Sequence, residues 1–173
     1  MLTIDLKQMI RTVPDFPKPG INFFDITTLL KDPNGLRTTI ESLASPYDTA
    51  GIDVVVGIES RGFILGSAVA QRIGAGFIPV RKPGKLPAKA IKEIYELEYG
   101  KDALEIHADA IEKGQRVLIV DDVLATGGTA SATTRLVRQL GGELQGLAFL
   151  IELTFLNGKS KLAGENVFSV LQY

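Results

Sequence analysis

Short runs of branched apolar residues punctuate the chain: "DVVVGI" (53–58), "GFIPV" (76–80), "RVLIV" (116–120) and "LQGLAFLIEL" (144–153). Such runs, bounded by turn formers, predict strands buried on both faces. Between them the spacing becomes helical. "GFILGSAVAQRIG" (62–74) predicts a buried helix closing on Gly74, and "GTASATTRLVRQLGG" (128–142) a helix with a glycine stop. Asp32 before Pro33 predicts a helix cap with proline in the first helical position, followed by an apolar stripe at Leu36, Ile40, Leu43 and Ala44. Residues 3–11 predict a short amphipathic helix ending before Pro14, and "PDFPKPGINFFDITTLL" (14–30) a proline-rich loop. Strands alternating with helices in this way predict an α/β fold: a single domain over 1–173, with a mainly parallel sheet and helices on both faces.

One segment departs from that rhythm. "RKPGKLPAKAIK" (81–92) holds five basic residues and no acidic one, and Pro83, Gly84 and Pro87 oppose regular structure. "EIYELEY" (93–99) alternates and predicts an extended ribbon.

Ligands of open parallel sheets bind at the carboxyl ends of strands. Three predicted strands end in polar chemistry: Glu59-Ser60-Arg61-Gly62, Arg81-Lys82 and Asp121-Asp122. The last pair runs into Ala125, Thr126, Gly127, Gly128 and Thr129, then a helix start. Unpaired N–H groups at a helix N-terminus, two glycines and hydroxyls form a nest for a phosphate monoester without any cation. Two carboxylates beside it accept hydrogen bonds from sugar hydroxyls or serve Mg²⁺. Together they describe a site for a ribose 5-phosphate. Adjacent strand residues point to opposite faces, so both acids meet one ligand only if the strand has begun to turn. Other phosphate motifs fail: Gly57 and Gly62 have the P-loop spacing, but Phe63 follows.

Composition narrows the chemistry further. The 173 residues are 45% hydrophobic and carry a formal net charge of -1, so a global footprint for nucleic acid is missing. There is no cysteine and one histidine, His107, to which no role is assigned. Disulfides, thiolate sites and His-rich metal sites are therefore excluded, and a functional metal would take oxygen ligands, which favours Mg²⁺. No apolar run approaches a membrane span, and the N-terminus has no signal core, so a soluble, cytoplasmic protein is expected.

"VLIVDDVLATGGTA" (117–130) closely resembles the phosphoribosyl-pyrophosphate (PRPP) signature of type I phosphoribosyltransferases. "PGINFFDITTLL" (19–30), "GIESRGFILG" (57–66), "RKPGKLP" with "YELEYG" (81–100) and "IELTFLNG" (151–158) make the combination similar to the adenine-using branch of that family. The resemblance implies purine salvage: transfer of 5-phosphoribosyl from PRPP to adenine, giving AMP and pyrophosphate, with Mg²⁺ held mainly through PRPP and also by Asp121 or Asp122. It implies that Asp121 and Asp122 hold the ribose hydroxyls and that residues 125–129 cradle the 5-phosphate. Glu59, Ser60 and Arg61 meet the pyrophosphate, on a turn that often carries a cis peptide. Arg81 and Lys85 resemble residues that reach pyrophosphate from the neighbouring subunit, implying a homodimer. Phe23 resembles the aromatic that stacks on adenine, Leu156 the residue on its other face, and Asn22 one that frames the base edge. Glu98 faces the imidazole edge of the purine and, with Arg61, forms the catalytic pair. The loop at 81–100 becomes a flexible lid that excludes water. Phe24 stands where many relatives have arginine, which removes a charge near the site.

Three alternatives stay open. Relatives using hypoxanthine or guanine place an aspartate where this chain has Ala125, whereas xanthine-type relatives also carry alanine. A non-catalytic PRPP-binding regulator usually adds a DNA-binding segment, and residues 1–50 supply no helix-turn-helix with a basic face. A receiver-type phosphoacceptor domain would use an acidic pair at a strand end without the Thr-Gly nest.

Overall fold

The computed structural model describes residues 5–96 and 100–173. Its contacts form two compact units, Met1–Ser42 and Leu43–Tyr173.

In the first unit the helix expected over 3–11 is absent from the described residues. Asp5 accepts the N–H of Lys7 and starts a single 3₁₀ turn, Leu6–Met9. The chain then extends into β1 (Arg11–Val13), which pairs antiparallel with β2 (Phe23–Asp25). β-branched Thr12 and Val13 favour the strand, and the Arg11–Asp25 ion pair spans it. β2 and α1 (Thr27–Leu30) occupy part of the segment expected as a loop. Asp25 organises them by accepting the Thr27 hydroxyl at 2.7 Å and its N–H at 2.9 Å. Those bonds and Arg11 pull the Asp25 carboxyl down to about 2. The Asp32 cap is present: its carboxylate accepts Asn34 N–H at 2.9 Å and Gly35 N–H at 2.8 Å, opening α2 (Pro33–Ala44).

The second unit contains β3 (Val54–Ile58), α3 (Arg61–Ile73), β4 (Gly76–Val80), β5 (Ala90–Glu96), β6 (Lys101–His107), β7 (Arg116–Leu124), α4 (Gly128–Gln139), β8 (Glu143–Glu152) and β9 (Val167–Gln172). Five strands form one parallel sheet in the order β4-β3-β7-β8-β9. Its centre is fully buried at Val55, Val56, Leu118, Ile119, Val120 and Leu147, each worth roughly 1.5–3 kcal/mol over exposure. From β3 the chain crosses through α3 outward to β4; from β7 it crosses through α4 the other way to β8. Right-handed crossovers in opposite directions put α3 and α4 on opposite faces. They also put the reversal of strand order between β3 and β7, where a crevice opens at the carboxyl ends.

β7 is longer than its apolar run. β3 pairs only as far as Val120, but β8 continues alongside, matching Asp121 with Phe149 and Leu124 with Glu152. The two acids therefore sit in an overhanging strand, not in a turn. β5 and β6 form an antiparallel hairpin over seven residue pairs, so the lid expected at 81–100 is partly regular. Residues 82–89 hold no helix or strand, as Pro83, Gly84 and Pro87 foretold. "KDALEIH" hid β6 because Ala103 and Leu104, adjacent in sequence, are both buried, which breaks the alternation.

Candidate active site

The carboxyl ends of the neighbouring strands β4, β3 and β7 carry most of the residues expected from the sequence. The β3 strand stops at Ile58, the Glu59–Ser60 peptide is cis, and α3 begins at Arg61. Ser60 precedes the helix, and its carbonyl accepts Phe63 N–H at 3.1 Å. Arg61 Nε lies 2.8 Å from Asp122 Oδ2, in an ion pair whose carboxylate side is buried. Asp121 Oδ1 accepts the Asp122 N–H at 2.9 Å. A Cβ on Gly62 would lie 2.8 Å from Asp121 Oδ1, so only glycine lets the first turn of α3 approach the acids this closely. The strand thus brings both aspartates to the start of α3 without turning. Burial pushes the Asp121 carboxyl well above its ordinary value, and the charge of Asp122 adds to it. Burial also raises Asp122, against the pull of Arg61.

The loop after β7 is shaped by backbone packed on backbone. Gly127 has φ 78°, ψ -2°, and α4 starts at Gly128. A Cβ on Gly127 would lie 2.3 Å from the Gly158 carbonyl oxygen; one on Gly158 would lie 2.2 Å from that of Ala125. Gly127 and Gly128 are buried, Ala125 and Thr129 half-buried, and Thr126 exposed. The result is a neutral nest at a helix N-terminus, with an open approach at Thr126.

The third strand end carries cations. Glu59, with a side chain 10% exposed, accepts the N–H of Lys82 at 2.9 Å and Arg81 Nε at 3.3 Å, and pairs with Lys85 Nζ. Burial alone would raise the Glu59 carboxyl, but Lys85, the Lys82 N–H and Arg81 together hold it below its ordinary value. Arg81 also donates to the Lys85 carbonyl at 3.3 Å and lies 5.8 Å from the centre of the Phe63 ring.

The residues expected around a base fall in different units. In the first, exposed Asn22 precedes β2, and half-buried Phe23 meets Phe16 edge-on at 5.2 Å. Phe24, also half-buried, follows in β2. In the second, Leu156 ends the 3₁₀ turn Thr154–Leu156 and is 39% exposed, beside Phe155 at 71%. Glu98 lies outside the described residues.

The sequence reading passed over three residues that shape the site, Gly158, Tyr95 and Asp102, and placed Lys82 at a strand end without a role. Lys82 Nζ pairs with Asp102 and lies 3.4 Å from the Tyr95 hydroxyl. The alternation in "EIYELEY" put Tyr95 on one face of a ribbon, but nothing local named the partner strand that brings Asp102 opposite it. Gly158 sits in "IELTFLNG", where only the fold shows which backbone it meets. Among the described residues no group of three or more His, Asp or Glu side chains could hold a metal. The nearest fit for a hard cation is the Asp121–Asp122 pair, which leaves most coordination positions to ligand oxygens. No helix among the described residues is long and apolar enough to cross a membrane.

Taken together, the crevice offers a neutral anion nest, two carboxylate acceptors and a cluster of cations at three adjacent strand ends. Comparison with known proteins agrees. Residues 25–167 match the family model described as phosphoribosyl transferase domain. The chain is 61% identical over 168 residues to an adenine phosphoribosyltransferase from Acidobacterium capsulatum, covering 97% of this chain and 93% of that protein. The crystal structure of an adenine phosphoribosyltransferase from Rhodothermus marinus superposes with a TM-score of 0.93 at 60% identity, over 97% of this chain and 96% of the other. The Saccharomyces cerevisiae enzyme of the same name, complexed with D-2,5-dideoxy-2,5-imino-altritol 1,6-bisphosphate and adenine, superposes with a TM-score of 0.91 at 43% identity, over 96% of each chain.

Proposed function

The chain belongs to the phosphoribosyl transferase domain family, and from that premise we propose that it transfers 5-phosphoribosyl from PRPP to adenine, giving AMP and pyrophosphate in purine salvage. The observation that carries the reading is the overhang of β7: two acids beside α3 that run directly into a cation-free nest at the start of α4. Relatives of this activity at 60% and 61% identity support adenine as the base. So does Ala125, against relatives that place an aspartate there. The family match to residues 25–167 crosses the boundary between the two units, which supports one functional domain over 1–173.

In this reading Ala125, Thr126, Gly127, Gly128 and Thr129 receive the 5-phosphate through their N–H groups and the exposed Thr126 hydroxyl. Asp121 and Asp122 accept the ribose hydroxyls. Glu59, Ser60 and Arg61 line the pyrophosphate end. Adenine N9 attacks the anomeric carbon while the bond from that carbon to the pyrophosphate oxygen breaks and its electron pair leaves with pyrophosphate. Positive charge develops on the sugar, so positioning and preset electrostatics supply the rate. Glu98 accepts the proton that the purine must lose through its imidazole edge. By resemblance Phe23 is assigned to stacking on the base and Asn22 to its edge, and Leu156 is likewise assigned to the base.

Asp121 or Asp122 would hold Mg²⁺ together with PRPP oxygens; when bound, the ion neutralises charge on the leaving group. Within a homodimer, Arg81 and Lys85 serve the pyrophosphate of the neighbouring subunit, leaving the Glu59 carboxylate as the anion bridges them. Residues 81–100 act as the lid, and the protein works in the cytoplasm.

Incubating purified protein with PRPP and Mg²⁺ against adenine, hypoxanthine, guanine and xanthine tests the reading. AMP as the dominant product is expected. XMP or IMP as the dominant product, or no nucleotide at all, would contradict it.

A further inference from the structure

The hairpin β5–β6 is docked on α4 at two points. Arg135 and Gln139, one turn apart on α4, both reach the Glu93 carboxylate. Closer to the phosphate nest stands Tyr95, 6% exposed. Its ring lies against Gly128, where a Cβ would meet Cδ2 at 3.3 Å. Its hydroxyl has three neighbours: Asp102 Oδ2 at 3.1 Å, Thr129 Oγ1 at 3.3 Å and Lys82 Nζ at 3.4 Å. A phenol has one proton to give and two lone pairs to fill. Donation to the carboxylate of Asp102, with acceptance from Thr129 and Lys82, uses all three. Lys82 holds the Asp102 carboxyl below its ordinary value, so the acceptor is ionised. The Lys82 N–H is itself bonded to Glu59 at 2.9 Å.

We propose that Tyr95 is a positioning residue: by accepting the Thr129 hydroxyl it fixes the first turn of α4, whose N–H groups face the 5-phosphate, and it locks the docked hairpin to the nest, so that hairpin docking and 5-phosphate binding stabilise each other. This rests on the reading of the nest as the 5-phosphate site. The chain Thr129–Tyr95–Asp102–Lys82–Glu59 joins that end of PRPP to the pyrophosphate end through the hairpin. Coupling of this kind is reciprocal: whatever the docked hairpin adds to PRPP affinity, PRPP adds to docking.

Tyr95→Phe keeps the ring on Gly128 and removes only the hydroxyl. The PRPP KM should rise roughly tenfold, the cost of a charge-assisted hydrogen bond, while kcat and the adenine KM stay within about twofold. Hydrogen exchange gives the readout that a merely structural role would not move. In the wild type PRPP should slow exchange of the β5 and β6 amides; in Tyr95→Phe it should not. Asp102→Asn, which replaces the carboxylate shared by Lys82 and Tyr95, should act in the same direction, and the double variant should be no worse than Tyr95→Phe alone. Wild-type PRPP KM in Tyr95→Phe would overturn the proposal. So would PRPP-dependent protection of the hairpin that survives the substitution. Should Tyr95→Phe fail to fold, Asp102→Asn decides by the same two measurements. Failure of the underlying reading looks different, because the wild-type protein itself would then neither bind PRPP nor form AMP.

Discussion

Two loops of the second unit are assigned to opposite phosphate ends of PRPP, one to the 5-phosphate in its own subunit and the other to the pyrophosphate of the neighbouring subunit, and they are built on opposite physics. The β7–α4 loop has no cation. It presents N–H groups from a backbone fixed by contact with the Gly158 carbonyl and by a left-handed residue at Gly127. The segment after β4 holds Arg81, Lys82 and Lys85 on long side chains, gathered by one carboxylate, Glu59. The first is preorganised and has no room for a methyl group. The second is a set of charges whose partner must be exchanged when an anion arrives. A static phosphate stays on the sugar through the reaction and suits the rigid nest. The departing pyrophosphate changes charge and position, and suits movable cations that also carry a lid.

The largest expected effect belongs to neither loop and so marks the limit of the comparison. Glu98→Leu should cut AMP formation by on the order of 10²-fold or more, the scale of general acid–base help, with PRPP binding retained by calorimetry. Near-normal turnover would remove its catalytic role.

Gly127→Ala should break the rigid loop. The methyl group meets a carbonyl that belongs to another backbone segment and cannot swing away. A displacement near 1 Å in a positioning element costs on the order of 10²-fold, here in kcat/KM for PRPP. Melting should fall by several degrees, at ~2–4 °C per kcal/mol for a chain of this size. Full activity and stability in the alanine variant would show that the nest is not preformed.

Arg81→Ala with Lys85→Ala should have a smaller effect, roughly tenfold on PRPP KM, because exposed ion pairs are screened and replaceable. Raising ionic strength should weaken wild-type PRPP binding and weaken it less in this double variant. Equal salt dependence in the two would sink the assignment of these cations to the substrate.

The smallest effect is on pH. Glu59 has a folded value below its unfolded one, so its ionised form stabilises the fold above the ordinary carboxylate range. That contribution is lost as pH falls through about 4 and below. Glu59→Gln should flatten this part of the stability–pH curve, read by chemical denaturation at several pH values. An unchanged curve would mean that Glu59 titrates as an ordinary exposed carboxylate.

The contrast between the loops also explains what the sequence revealed. The nest was legible because rigid backbone needs particular residues in consecutive positions: a strand, two acids, then glycines and threonines. The sheet was legible for a similar reason, since buried parallel strands are nearly continuous apolar runs. What escaped depends on residues far apart in the chain. Gly158 has meaning only against Ala125 and Gly127, and Asp102 only against Tyr95 and Lys82. The overhang of β7 was hidden because β8, not β7, supplies the extra pairing. The 3–11 helix was a misreading of period, overruled by β1–β2 pairing in the first unit.

One measurement tests the division of labour directly: calorimetric titration of AMP and of pyrophosphate into Gly127→Ala and into the Arg81→Ala, Lys85→Ala variant, with Mg²⁺ present. Gly127→Ala should lose AMP affinity and keep pyrophosphate affinity, while the double variant should do the reverse. Loss of both ligands in parallel by either variant, provided it remains folded, would contradict the assignment of a rigid neutral nest to one phosphate end and movable cations to the other.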